Sequence, residues 1–334
     1  MADTKVLVVD DSLTMRALIS GALERIPAVK VVGLADGAAE ARGMVENLMP
    51  DVMTLDIEMP GMSGLDYLKE IMTTRPMPVI MFSTRTTAGA EDSVEALRLG
   101  AVDCFPKPKV ASPKELDAII AKLGKRIKAA RKAELAKPRA AAPVAAPPLD
   151  WNGRLVVVGG DAASTQGLFA FLGGLPANCP PIVVVQHLDP GLAQSMADTL
   201  DKEVAPRVVV AAEGAAIEQG TVHLAPAGDA HVVVDGWPNG KLRFLARDPV
   251  AGERPSISLL FASAARAAGA EAVGVLLLPE GSEDGGNGLK AMLAAGGHVL
   301  SAAEAGGFVL QRNMASQPVP TEALAGTLLK LCGK

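Results

Sequence analysis

Acidic residues in the first part of the chain stand where short apolar runs end. Asp10 and Asp11 follow the apolar run 6–9, and Asp56 follows the run 52–55. Carboxylates that lie close together repel one another and raise one another's pKa unless a cation neutralises them. Oxygen ligands at this density suit Mg²⁺, which binds carboxylates together with phosphate oxygens and water. The pattern predicts a Mg²⁺ pocket made by Asp10, Asp11 and Asp56.

A hydroxyl and an ammonium group follow two later apolar runs. Ser83 ends the run 79–82, and Lys107 follows the segment 104–106. A phosphoryl group transferred to Asp56 would gain negative charge on its oxygens, and Mg²⁺ and Lys107 would neutralise that charge. The residue types therefore predict a phosphoryl acceptor site.

The elements that must position these groups are also visible in the sequence. Before residue 126, short β-branched runs alternate with longer amphipathic segments, which predicts five strands and five helices. Buried strands that alternate with helices are parallel and are joined by right-handed crossovers, so the fold class is α/β with an open, doubly wound sheet. Binding sites of such sheets lie at the carboxyl ends of the strands.

These positions together resemble the receiver domain of two-component response regulators, over about residues 3–125. The matching residues are Asp10-Asp11, Asp56, Ser83 and the pair Lys107-Pro108, in this order and at these strand ends. The resemblance implies a flavodoxin-like fold, a histidine kinase as phosphodonor and Asp56 as the phosphorylated residue. It also implies that Asp11 and the backbone after Asp56 hold Mg²⁺, and that Ser83 and Lys107 report phosphorylation.

The length of 334 residues predicts two domains, each large enough to bury a core. A basic stretch followed by an Ala/Pro tract separates them, and we interpret residues 126–150 as a linker between a domain at 1–125 and a domain at 151–334. After the linker the alternation of strands and helices returns, which predicts a second, Rossmann-like α/β domain with mostly parallel strands.

Composition excludes several classes of protein. Hydrophobic residues make up 49% of the chain and charged residues 21%, which is typical of globular domains. A net charge of −5 gives no basic surface for nucleic acid, so no nucleic-acid partner is expected. No apolar run is long enough to insert into a membrane, and the three cysteines lack disulfide or zinc spacing. We expect a cytoplasmic protein.

The second half offers the residues of an acyl-transfer site. His187 directly follows an apolar strand, and the small-residue turn 160–165 opens a helix after the first strand of this domain. A glycine-rich loop at 279–286 presents Asp284 after a later strand. Because carboxyl ends of parallel strands share one edge, a serine such as Ser164, His187 and Asp284 are predicted to meet there. No cofactor is expected in this domain.

This half resembles the catalytic domain of chemotaxis protein-glutamate methylesterases, the CheB family. The resemblance rests on the order Ser, His, Asp, the pair Gln186-His187, His231 after Ala225-Pro226, the segment Arg254-Pro255-Ser256 and the loop at Asp284-Gly285. It implies hydrolysis of glutamyl methyl esters, and deamidation of glutamines, on the cytoplasmic domains of chemoreceptors. It also implies that phosphorylation stimulates the activity by displacing the receiver from the active-site face.

The nucleophile departs from the family motif Gly-Ala-Ser-Thr-Gly-Gly. A gap-free alignment puts Asp161 at the serine position, whereas a shift of three residues matches Ser164 but shortens the following helix by about one turn. The gap-free alignment is favoured, and the loop at 280–285 and the segment 311–314 depart from the family as well. An aspartate has no hydroxyl proton to give and its attack would form an anhydride.

Two functions follow from this alternative, and a third needs the receiver alone. If Ser164 or another nucleophile serves, the domain is a methylesterase with His187 and Asp284. If Asp161 occupies the serine position, the domain is a phosphorylation-gated binding module without catalysis. A receiver that merely competes for kinase phosphate would need only residues 1–125.

Overall fold

The computed structural model describes residues 3–84, 86–107, 113–131, 147–225, 227–278, 284–303 and 318–334. The chain divides into two compact units, Met1–Arg139 and Ala140–Lys334, which are described separately below. The predicted domain bounds stay a prediction, and most of the predicted linker, residues 132–146, lies outside the described residues.

The first unit is an α/β domain in which strands and helices alternate. Its strands are β1 (Thr4–Val9), β2 (Val29–Ala35), β3 (Val52–Asp56), β4 (Val79–Ser83) and β5 (Asp103–Pro106). Its helices are α1 (Leu13–Glu24), α2 (Ala38–Leu48), α3 (Gly64–Thr74), α4 (Thr87–Arg98) and α5 (Pro113–Ala130). The sheet is parallel with the strand order β2-β1-β3-β4-β5, which is the flavodoxin-like order predicted from the sequence.

The helix starts of the first unit have local causes in the sequence. Ser12, Ser63 and Thr86 are N-caps whose side-chain oxygens accept hydrogen bonds from backbone N–H groups of α1, α3 and α4. The cap at Thr86 starts α4 at Thr87. Strands β3 and β4 are buried along their whole length, as expected of central strands covered by helices on both faces.

The second unit is a larger α/β domain. Its strands are β6 (Leu155–Asp161), β7 (Ile182–His187), β8 (Arg207–Val210), β9 (Thr221–Ala225), β10 (His231–Asp235), β11 (Lys241–Leu245), β12 (Ala272–Leu276), β13 (His298–Ala302) and β14 (Pro318–Val319). Its helices are α6 (Thr165–Gly173), α7 (Ala193–Glu203), α8 (Ile257–Ala268), α9 (Gly286–Ala294) and α10 (Thr321–Cys332).

Within the described residues, seven of these strands form one parallel sheet and two form a hairpin. The sheet order is β14-β13-β12-β6-β7-β9-β8, and β10 pairs with β11 in antiparallel register. Strands β6 and β12 lie side by side, and the chain leaves them in opposite directions, from β6 toward β7 and from β12 toward β13, so their carboxyl ends form the crevice where ligands bind in such sheets. The short strand β14 is absent from our sequence prediction.

Within the described ranges, we find no helix long and apolar enough to cross a membrane.

The contact between α8 and α9 depends on a glycine that the sequence does not explain. A Cβ atom at Gly288 would lie 2.6 Å from the Ser258 carbonyl oxygen and 2.7 Å from Phe261 Cβ. The two helices therefore approach closely beside the start of α8, which holds Asp284.

We expect Gly288→Ala to destabilise the second unit by roughly 1–3 kcal/mol, because the added methyl group overpacks this contact. Gly326→Ala on α10 is the matched control, since a Cβ there meets nothing within 4 Å. The control should be neutral or stabilising by about 0.5–1 kcal/mol, since alanine has the higher helix propensity. Urea unfolding monitored by circular dichroism measures both, and equal effects of the two substitutions would contradict the close contact.

Candidate functional site

The three predicted carboxylates of the first unit meet at the carboxyl edge of its sheet. Asp10 directly follows β1, and Asp56 is the last residue of β3. Both are buried, whereas Asp11 is exposed. Oxygen atoms from the three side chains lie within 4.8 Å of one another. The structure therefore brings together the acidic cluster that the sequence predicts.

Lys107 compensates part of this negative charge. Its Nζ atom lies 2.7 Å from Asp56 Oδ2 and 3.7 Å from Asp10 Oδ2. Burial is the largest influence on Asp56 and raises the pKa of this carboxyl to about 6, helped by the charge of Asp10 and opposed by Lys107. Burial also raises the pKa of Asp10. One ammonium group thus leaves the pair of buried carboxylates short of positive charge.

A divalent cation fits this cluster. Asp10 Oδ2 is buried and has no hydrogen-bond partner among the described residues. A carboxylate oxygen in that state is stabilised by a cation, and oxygen-only ligands at this spacing suit Mg²⁺. Ser83 is buried at the end of β4, and its carbonyl oxygen accepts a hydrogen bond of 2.8 Å from the backbone N–H of Lys107. The last two predicted residues of the receiver site are therefore adjacent to each other.

In the second unit, His187 and Asp284 lie next to each other. His187 is the last residue of β7, and its Nε2 atom lies 3.5 Å from Asp284 Oδ2. The same Nε2 atom lies 3.0 Å from the carbonyl oxygen of Pro255. Both neighbours are acceptors, so Nε2 carries the proton and Nδ1 is the nitrogen that can accept one when the ring is neutral.

Asp284 is fully buried, and several donors stabilise its charge. The donors are Ser256 Oγ at 2.9 Å, Ile257 N at 2.6 Å, Ser258 N at 3.0 Å and Gly285 N at 2.8 Å. Burial by itself raises the pKa of Asp284, but the hydrogen bonds from His187 and from the N-terminus of α8 outweigh it and lower the pKa to about 2. The carboxylate therefore stays ionised at neutral pH.

This lowered pKa has a consequence for stability. The unfolded group titrates near its ordinary value of 3.8, so the contribution of Asp284 is complete above that pH. It is lost as the pH falls from 3.8 toward about 2, because the unfolded chain then binds a proton that the folded chain does not.

The acidic neighbours of His187 act on its titration. Burial by itself lowers the pKa of His187, but the hydrogen bond with Asp284 and the negative charges of Glu253, Asp284 and Asp161 outweigh it and raise the pKa. The ring is therefore a stronger base than an ordinary histidine side chain. A basic histidine beside an ionised carboxylate, as in His187 and Asp284, is the arrangement that a general base and its orienting group require.

Of the two candidate nucleophile positions, Asp161 is the one opposite His187. The two residues are register partners on the neighbouring strands β6 and β7. Ser164 ends the short 3₁₀ turn that follows, and its N–H donates to Asp161 Oδ1 at 3.0 Å. The strand register therefore places Asp161 beside His187, and the structure assigns no catalytic role to Asp161 or to Ser164.

The hydroxyl group of Ser164 is engaged within its own turn. Its Oγ–H donates to the carbonyl oxygen of Asp161 at 2.8 Å, and it accepts from the Asp161 N–H at 2.8 Å. Gln186 Nε2 donates to the same carbonyl and lies 3.4 Å from Ser164 Oγ. Among the described residues, no hydrogen bond joins Ser164 to His187.

Sequence reasoning assigned no role to the segment Pro255-Ser256 or to Glu253, although all three act on the His187 and Asp284 pair. The signal that could have found Ser256 is its place directly before the apolar helix α8, where serine is a preferred N-cap. The predicted departures in the loop at 280–283 and in the segment 311–314 lie outside the described residues.

We expect Asp284→Asn to lower the pKa of His187, because both the hydrogen-bonded acceptor and its charge are lost. The matched control is Asp161→Asn, which removes a charge without removing a hydrogen bond to His187 and should lower this pKa less. NMR titration of the His187 ring measures both shifts. A larger shift in the control would show that Asp161, and not Asp284, dominates the electrostatics of the ring.

Comparisons with known proteins give matches for both halves of the chain. Family models match residues 6–121 as a response regulator receiver domain and residues 156–330 as a CheB methylesterase. A protein-glutamate methylesterase/protein-glutamine glutaminase of Caulobacter vibrioides is 45% identical over 91% of this chain and 89% of its own length.

A relative of the same name from Rhizobium etli is 42% identical over 99% of this chain and 97% of its own length. The crystal structure of the Thermotoga maritima CheB methylesterase catalytic domain has a TM-score of 0.51 and 27% identity, and it covers 54% of this chain and 99% of that one. These matches extend from the receiver site to the His187 and Asp284 pair, so the chain belongs to the CheB methylesterase family and carries an N-terminal response regulator receiver domain.

Proposed function

We propose that this chain is a response regulator of a chemotaxis-like pathway, in which phosphorylation at Asp56 controls an esterase domain that acts on chemoreceptors. The domain hydrolyses glutamyl methyl esters and deamidates glutamine side chains, as the names of the relatives describe for those proteins. The observation that carries this proposal is the buried, ionised Asp284 at 3.5 Å from the ring of His187, whose pKa is raised.

A histidine kinase is the proposed phosphodonor. Asp56 receives the phosphoryl group, and Asp10, Asp11 and Asp56 would hold Mg²⁺ at the cluster. The ion would supply positive charge for the phosphoryl oxygens. Lys107 lies within 2.7 Å of Asp56 and supplies the second positive charge, while Ser83 lies beside it at the end of β4. These two residues are proposed to respond to phosphorylation.

For hydrolysis we propose Ser164 as the nucleophile, His187 as the base and Asp284 as the group that orients it. The Ser164 hydroxyl turns from the Asp161 carbonyl to His187 Nδ1, its oxygen attacks the ester carbonyl carbon, and its proton passes to the ring. The methoxy group leaves as methanol with that proton. Water repeats the two steps on the acyl serine and releases the glutamate carboxylate. No metal is proposed for this domain.

The alternative function depends on the position of the Ser164 hydroxyl. Asp161 is the register partner of His187, and the Ser164 hydroxyl donates a hydrogen bond to the Asp161 carbonyl oxygen. If the hydroxyl does not turn, the domain has no activated nucleophile. It would then act as a phosphorylation-gated module that binds receptors without hydrolysing them.

Methanol release from a methylated receptor fragment separates the two functions. We expect the protein treated with a phosphodonor and Mg²⁺ to release methanol, and Asp56→Asn to remove the stimulation by the phosphodonor. Ser164→Ala should lower the rate by more than about a hundredfold, as loss of a nucleophile does. Asp161→Ala is the matched control and should stay within a few-fold of the unsubstituted protein.

Two results would contradict the esterase proposal. One is loss of methanol release in Asp161→Ala with no change in Ser164→Ala. The other is absence of methanol from a folded, phosphorylated protein that still binds the receptor fragment, which is the result the binding module predicts.

A further inference from the structure

His231 is a buried histidine that the proposed chemistry does not use. It is the first residue of β10 and is 0% exposed. Its Nε2 atom lies 3.0 Å from the carbonyl oxygen of Asp248, and its Nδ1 atom lies 3.0 Å from the backbone N of Ser256. A carbonyl oxygen only accepts and a backbone N–H only donates. The two bonds therefore require a neutral ring with its proton on Nε2.

The residue that His231 holds is in direct contact with the site. Ser256 is buried and is the N-cap of α8, and its hydroxyl donates to Asp284 Oδ1 at 2.9 Å. The preceding carbonyl, that of Pro255, lies 3.0 Å from His187 Nε2. The segment Pro255-Ser256 thus contacts both members of the pair. His231 is bonded to the backbone N–H that lies between those two contacts.

A chain of hydrogen bonds consequently connects the hairpin of β10 and β11 to the base. It runs from the Asp248 carbonyl through His231 to Ser256 N–H, and from the Ser256 hydroxyl to Asp284, which lies beside His187. His231, Ser256 and Asp284 are buried, and His187 is partly buried. Buried side chains whose donors and acceptors are all paired have few alternative positions.

At the protein surface, Arg254 also connects the segment Pro255-Ser256 to the loop that contains Gly228 and Asp229. Its guanidinium donates to the Gly228 carbonyl at 2.8 Å and to Asp229 Oδ1 at 2.9 Å. Asp229 is fully exposed, so the ion pair contributes little to holding the segment. The interior contact at His231 is the one shielded from water.

We propose that His231 is a positioning residue, which fixes Pro255-Ser256 so that the Pro255 carbonyl and the Ser256 hydroxyl orient His187 and Asp284. The effect of His231 on catalysis rests on the proposed function. Its effect on the positions of His187 and Asp284 does not, because that effect can be measured without turnover.

Two substitutions distinguish the roles of the two ring nitrogens of His231. His231→Asn keeps an acceptor near the place of Nδ1 and loses the donor to Asp248. His231→Gln keeps a donor near the place of Nε2 and loses the acceptor for Ser256 N–H. We expect His231→Gln to lower the pKa of His187 toward the ordinary histidine value, because Ser256 then no longer holds Asp284 in its place beside the ring. It should also raise the amide exchange rate of Ser256 by about fivefold or more, as loss of one hydrogen bond implies.

His231→Asn should leave both the His187 titration and the Ser256 exchange rate close to those of the unsubstituted protein. NMR titration and amide hydrogen exchange on the full chain measure both. A folded His231→Gln protein with unchanged His187 titration and Ser256 exchange would overturn the positioning role. So would an equal effect of the two substitutions.

A measurement on the unsubstituted protein covers the case in which a variant does not fold. Nitrogen NMR of His231 should show the neutral ring with its proton on Nε2 and a coupling from Ser256 N–H to Nδ1. A ring with its proton on Nδ1 would overturn the inference. If these results hold and no methanol is released in the receptor assay, the esterase proposal fails while the positioning role stands.

Discussion

Asp284 carries a negative charge inside the second unit, and the N-terminus of α8 is where that charge is stabilised. The first two N–H groups of the helix and the hydroxyl of its N-cap, Ser256, all point to this carboxylate. Helix N-termini favour anions because their first N–H groups have no partner within the helix. The helix thus gains an acceptor, and the acceptor stays ionised. His187 takes its raised basicity largely from this arrangement.

The receiver site uses carboxylates in the opposite way. Asp56 and Asp10 are buried with few donors, so their pKa values are raised and the site lacks positive charge. A cation can enter such a site, because it supplies the positive charge that the protein leaves out. The charge of Asp284 is stabilised by donors of the protein itself, whereas the charge of the receiver cluster needs a bound cation. The same residue type therefore serves as a fixed support in one domain and as a reactive group in the other.

The sequence predicts the fold and the receiver site well, and the second site only in part. Asp10, Asp11, Asp56, Ser83 and Lys107 each end a strand or follow one directly, so period and topology suffice to place them together. His187 follows the same rule. Ser256 and His231 reach the site through a helix cap and a hairpin, and their roles depend on contacts between segments distant in the chain. The periodicity of apolar residues does not predict such contacts.

The contact between Ser164 and Asp161 is a second feature that the sequence pattern does not predict, although these residues are close in the chain. The strand register places Asp161 opposite His187, and the gap-free alignment predicts that the same residue takes the family's serine position. The direction of the Ser164 hydroxyl depends on how the turn after β6 closes, because the Asp161 side chain and the Ser164 hydroxyl bond to each other's backbone. The sequence contains both residues of this reciprocal cap. An alignment shifted by three residues would instead match Ser164 to the serine of the family motif, so the sequence alone does not choose between them.

Titration of the Asp284 carboxyl carbon by NMR tests most directly whether an ionised, buried carboxylate organises the second site. We expect a midpoint at about 2, well below the ordinary value of 3.8. A midpoint at or above 3.8 would contradict it, because the donors at the start of α8 would then not outweigh burial.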